Sequence, residues 1–173
     1  MSVPGRPPYR RDMTLTTCLW FDGNAREAAE FYVANFPESH LGDNWMAPVD
    51  TPGNEHGSEV VVDFTIFGVP FMALNGGPMF QFNEAISFRI PCSDQAEIDH
   101  YWGLLTDDGG VESQCGWLKD KFGVSWQIIS PAMGQYLGGP DPNGARAATE
   151  AILTMGKIYL DELRRAYESA AFR

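Results

Sequence analysis

One pattern occurs twice along the chain, and that repetition limits the possible folds more than any other feature. At an offset of 70, Asn24-Ala25-Arg26-Glu27 falls on Asp94-Gln95-Ala96-Glu97, and Phe31-Tyr32 falls on Tyr101-Trp102. At an offset of 69, Leu19 falls on Phe88 and Phe21 on Ile90, so the one-residue difference sits in a strand-to-helix turn. Asn or Asp with Glu three residues later is the capping-box spacing, which satisfies two otherwise orphan backbone donors at a helix start. A cap, an apolar stripe and an aromatic pair recurring together predict a duplicated module.

Each copy reads as strand, helix and three strands. In the first, Thr14 to Phe21 is rich in β-branched and aromatic residues. Ala25, Ala28, Ala29, Tyr32 and Phe36 then make one helical face, which Pro37 stops. An extended segment from Ser39 to Pro48 and a Pro/Gly/Asn loop from Val49 to Gly57 precede Glu59 to Phe67. That strand alternates Val60, Val62, Phe64 and Ile66 against Val61, Asp63 and Thr65. A turn at Phe67-Gly68-Val69-Pro70 leads to Phe71 to Asn75, and Gly76-Gly77-Pro78 breaks the strand.

In the second copy, Ala85 to Pro91 is the opening strand, and Ile98, Tyr101, Trp102 and Leu105 form the helical stripe. Strands around Val111 to Gln114, Gly116 to Lys121 and Val124 to Ser130 complete it. The expected organisation is a flexible tail over 1–13, modules over 14–75 and 85–131, and a linker with a C-terminal helix over 132–173. Ala148, Ile152, Met155, Tyr159 and Leu163 would form one apolar face of that helix.

Charge and apolar content exclude several functions. A formal net charge of -11 repels phosphate backbones, so nucleic-acid binding is not expected. No apolar run approaches the ~18 residues of a membrane span, and the Arg-containing N-terminus lacks the apolar core of a signal peptide. No membrane association is expected, and a cytoplasmic location is. Cys18, Cys92 and Cys115 are odd in number and lie on expected strands, which suits reduced thiols.

The segments LWFDGNAREAAEFY, FMALNGGP, AISFRIPCSDQAEIDHYW, CGWLKDKFGVSWQI and AILTMGKI resemble the PhnB-like branch of the vicinal oxygen chelate superfamily, often labelled 3-demethylubiquinone methyltransferase-like. The superfamily also holds glyoxalases, extradiol dioxygenases and fosfomycin or bleomycin resistance proteins. The resemblance implies an α+β fold of tandem βαβββ modules, a curled and cavity-enclosing sheet, here with an added C-terminal helix. It also implies a small-molecule ligand and a homodimer. Methyl transfer from S-adenosylmethionine usually relies on a glycine-rich turn after a first strand, and this chain contains no Gly-x-Gly.

Superfamily enzymes hold a divalent metal with His or Gln, Glu and His side chains on the concave sheet. Laid on those patterns, the ligand positions here fall on Thr16, Ala85 and Gln127. Threonine and alanine cannot replace imidazoles, and a neutral glutamine brings no charge to offset stripping water from the metal. A divalent metal cofactor is therefore disfavoured. His40, His56 and His100 read as surface or packing residues.

Strand alternation nominates Thr16, Cys18, Trp20, Asp63, Thr65, Ser87, Arg89, Trp117, Ser125 and Gln127, with Asn75 at a strand end, as candidate ligand-binding residues. The opposite parity sends Leu19, Phe21, Val62, Phe64, Ile86, Phe88 and Ile128 beneath the helices. Cys115 is a nucleophile only if a base lowers its pKa, and no histidine is placed by sequence to do so. No catalytic residue is assigned. A small-molecule binder, a metal-dependent lyase, isomerase or dioxygenase, and a drug-sequestering resistance protein remain the three readings.

Overall fold

The computed structural model describes residues 14–51 and 53–171; the expected N-terminal tail lies outside them. Two compact units are present, one ending at Gln81 and the other beginning at Phe82.

The first unit contains β1 (Thr17–Phe21), α1 (Ala25–Asn35), β2 (Leu41–Met46), β3 (Glu59–Ile66) and β4 (Val69–Asn75). Its sheet runs β1-β4-β3-β2, with β1 parallel to β4 and the remaining pairs antiparallel. Ala25, Ala28, Ala29 and Tyr32 are fully buried and Phe36 nearly so, as the helical stripe requires. They meet Val62, Phe64 and Ile66 from the alternate positions of β3; Tyr32 stacks on Phe64 with ring centroids 5.9 Å apart.

The second unit repeats the pattern with β5 (Phe88–Pro91), α2 (Gln95–Thr106), β6 (Val111–Glu112), β7 (Trp117–Lys119) and β8 (Ser125–Ile129). Its sheet runs β5-β8-β7-β6, again with the first and last strands parallel. Identical strand order and the same parallel pair in both units bear out the duplication. Ile98, Trp102 and Leu105 bury against Leu118, Trp126 and Ile128. Three short helices follow: α3 (Gly134–Leu137), α4 (Pro142–Ile152) and α5 (Leu160–Ala170).

Three local expectations require correction. Asn24 makes no side-chain cap; instead Oδ1 of Asn75, from the end of β4, accepts from the Ala25 backbone N-H at 2.9 Å. The second cap does form: Asp94 accepts from Glu97 N at 3.0 Å, and Glu97 reaches back to Ser93 N.

The second opening strand begins at Phe88 rather than Ala85, so Ile86 is 73% exposed instead of packing beneath a helix.

The C-terminal helix is broken between Ile152 and Leu160. There the carbonyls of Met155 and Gly156 accept from the backbone N-H groups of Cys115 and Gly116, both at 2.8 Å. The Gln95 side chain extends the tie, donating to Ile158 O and accepting from Leu160 N at 2.9 Å each. The break turns Tyr159 outward and brings Ile158 into the core, while Ala148, Ile152, Met155 and Leu163 stay buried. Among the described residues, no helix is long and apolar enough to cross a membrane.

Candidate functional site

In the first unit, register places Cys18 and Asp63 on either side of Met72, Trp20 beside Leu74, and Thr65 beside Pro70. These residues therefore share the sheet face turned away from α1. Thr16, Asp63 and Thr65 line a cavity of about 240 Å³ together with His40. His40 is held there by its backbone N-H donating to Thr65 Oγ1 at 3.0 Å, with its ring Nδ1 3.0 Å from the same oxygen. Local sequence carries no signal for this role, because the pairing of residues 40 and 65 depends on how β2 folds back on β3.

Trp20 is fixed at the other end of that face. Its Nε1 donates to Gly77 O at 2.7 Å, and its ring meets Phe80 edge-on at 4.9 Å. A Cβ at Gly76 would fall inside the indole, so glycine is required there. The backbone N-H groups of Gly76 and Gly77 both point to Phe21 O and close the strand end. Asn75 has the opposite parity: it is buried, caps α1, and donates its Nδ2 to Glu59 O at 2.8 Å.

In the second unit, Arg89 on β5 pairs in register with Gln127 on β8, and Gln127 pairs with Trp117 on β7. In-register partners project to one side of a sheet, so the three form a row across three adjacent strands. Gln127 Nε2 donates to Ser87 Oγ at 2.8 Å, fixing the amide plane. Arg89 is exposed, and no hydrogen bond or ion pair engages its guanidinium among the described residues.

Two residues before Gln127, Ser125 faces the same way beside Lys119. It is 2% exposed, and its hydroxyl has no hydrogen-bond partner among the described residues. Lys119 pairs with Glu84 at 2.6 Å and holds that carboxyl below its ordinary range. Trp117, Lys119 and Glu84 also line a cavity of about 460 Å³ with Val111, Glu112 and Cys115.

Asp120 and Cys115 serve the framework. Asp120 is 2% exposed; Oδ1 accepts from Phe122 N and Val124 N at 2.9 and 3.0 Å, and Oδ2 from Trp126 Nε1 at 2.8 Å. The Cys115 thiol donates to Ile152 O at 3.4 Å, inside the tie to the C-terminal segment.

The ligand positions implied by the resemblance carry no charged or imidazole donor. Thr16 precedes β1, Ala85 is an exposed methyl ahead of β5, and Gln127 commits its amide N-H to Ser87. Among the described residues, no group of three or more His, Cys, Asp or Glu side chains converges on one point.

The family profile described as 3-demethylubiquinone-9 3-methyltransferase matches residues 13–129. A Bacillus cereus PhnB protein carrying the same methyltransferase label is 32% identical, with 68% of this chain and 99% of that one covered and a TM-score of 0.60. A Pseudomonas aeruginosa protein is 19% identical over 69% of this chain and 98% of its own, with a TM-score of 0.54. No curated protein sequence matches.

Proposed function

The chain belongs to the PhnB-like 3-demethylubiquinone-9 3-methyltransferase family of the vicinal oxygen chelate superfamily, and from that premise we propose that it binds a small organic molecule without the superfamily's metal. The observation carrying this reading is the Arg89-Gln127-Trp117 row. A planar apolar wall, an amide fixed by Ser87 and a guanidinium unengaged among the described residues share one face, the combination of apolar surface with few placed polar groups that small-molecule sites use.

The residues at the metal positions do not fit a divalent ion. Alanine offers no donor, and the amide of Gln127 brings no negative charge. The methyltransferase label likewise finds no support in the fold: neither four-stranded sheet is doubly wound, and the chain has no Gly-x-Gly turn.

A homodimer is part of the proposal; the apolar face of the C-terminal helices is used inside the second unit and does not supply the interface. Support comes from edge strand β2, all of whose residues are exposed, including Leu41, Trp45 and Met46. An unpaired strand edge with apolar side chains is a ready template for pairing.

Native mass spectrometry of protein purified without chelators tests both points. The expected spectrum is a dimer with no stoichiometric metal. One divalent ion per subunit would overturn the metal-free reading in favour of a metal-dependent lyase, isomerase or dioxygenase, and a monomer at micromolar concentration would overturn the dimer.

A further inference from the structure

We infer that the ligand of the Arg89-Gln127-Trp117 row is a planar organic monoanion bearing a carboxylate. The inference rests on the reading of this face as a binding site.

Charge comes first. The chain carries a formal net charge of -11, so an unneutralised cation on a candidate site face stands out against the field of the molecule. Among the described residues, Arg89 and Lys119 are the cations on these strands' shared face. Lys119 is already paired with Glu84, whereas Arg89 has no partner among the described residues. One available cation matches one negative charge; a phosphate dianion would ask for more.

Shape comes second. A guanidinium presents two parallel N-H groups in the plane and spacing of a carboxylate, a match that an ammonium cannot make. The amide of Gln127 lies next in the row. Its oxygen is left for a donor, or for water, because Nε2 serves Ser87.

Length comes third. Arg89 and Trp117 stand two strand spacings apart, roughly 9.5 Å, with Gln127 between them. A fused bicyclic aromatic acid spans about that distance with its carboxylate at Arg89 and its ring system against the indole. Ser125 adds an independent sign of incompleteness: its buried hydroxyl lies one pleat from Gln127 on the same face with no partner among the described residues, a state that native interiors seldom leave unexplained.

Isothermal titration of the full chain with three isosteric probes, and with 2-naphthyl phosphate as a dianionic comparison, tests the class. The probes are 2-naphthoate, neutral 2-naphthalenemethanol and cationic 2-naphthylmethylamine. Naphthoate is expected to bind at least about tenfold more tightly than the alcohol, and the amine most weakly. Arg89→Gln should erase the naphthoate advantage while leaving alcohol binding within about twofold. Arg89→Lys should keep only part of it.

Trp117→Ala should weaken naphthoate and alcohol alike, with circular dichroism confirming that each variant is folded. Equal affinity for acid and alcohol, an advantage that survives Arg89→Gln, or tighter binding of 2-naphthyl phosphate than of naphthoate overturns the carboxylate assignment. The site itself stands in those cases if Trp117→Ala still weakens binding. If no probe binds, or Trp117→Ala and Gln127→Ala leave every probe unchanged, the inference and the site reading both fall.

Discussion

Removing the Asp120 carboxylate should destabilise the protein more than any other single change in the β7–β8 turn. Asp120 is 2% exposed and accepts from two backbone N-H groups and the Trp126 indole. Asp120→Ala strands those three donors in a place water reaches poorly. Each buried unmet donor costs about 1–3 kcal/mol, but deleting a buried charge returns part of its desolvation cost, so a net loss of about 4 kcal/mol follows.

Asp120→Asn separates the contributions. The amide oxygen can keep Phe122 N and Val124 N, while Nδ2 is then forced against the indole N-H, donor to donor, at a cost of about 2 kcal/mol. Adding Trp126→Phe removes that clash, so the double variant should lose less than the sum of the two single losses. Urea unfolding followed by far-UV circular dichroism reads the three single variants and the double variant against the parent. A loss below about 1 kcal/mol for Asp120→Ala, or identical losses for Ala and Asn, would show that these hydrogen bonds do not carry the turn.

Three further outcomes are expected. Asn75→Ala removes both the α1 cap and the tie to Glu59 O, and should cost about 2–4 kcal/mol by the same unfolding assay, with Asn75→Asp recovering only the cap. Ser125→Ala deletes a buried hydroxyl without a partner among the described residues and should leave the ligand-free protein equally stable or stabler by about 1 kcal/mol; a clear fall in Tm would reveal that the hydroxyl is hydrogen-bonded. Burial, reinforced by Glu97 and Asp94, pushes the Cys92 thiol from 9.0 up to about 11. The folded state thus holds its proton more tightly than the unfolded chain, so stability is full below pH 9 and should fall by up to ~3 kcal/mol as pH rises toward 11. Cys92→Ala should flatten that slope, and Cys92 should resist iodoacetamide at pH 8 until the protein unfolds.

How far the chain could be read in advance follows the range over which each interaction acts. The α1 stripe, the alternation of β3 and the Asp94 cap depend on neighbours within a few positions, and all are present. The row across the second sheet was also within reach, because parity on each strand fixes which side chains share a face once strand order is known. Asn24 has the right residue and spacing for a cap, yet Asn75 supplies it from 50 positions away, a competition no local pattern records. The same limit hid His40 from the first-unit cavity, because its partner Thr65 lies 25 positions away.

The C-terminal break shows why periodicity alone overreached. Ala148, Ile152, Met155, Tyr159 and Leu163 keep helical spacing through Leu153-Thr154-Met155-Gly156, and a helix continued through Gly156 would lose about 1 kcal/mol relative to alanine. That cost is too small to stop a helix by itself. More weight falls on the edge at Cys115-Gly116, whose two backbone donors need acceptors. Met155 and Gly156 provide them only when the helix opens. Gly116 cannot carry a side chain there, since a Cβ would stand 2.7 Å from Ile128 O and its φ is +82°. The close approach that breaks the helix is thus encoded by a glycine in the second module. The framework behind Trp117 is thereby braced from the C-terminal segment, so Gly116→Ala should loosen that brace and weaken probe binding at Trp117 without touching any residue of the row.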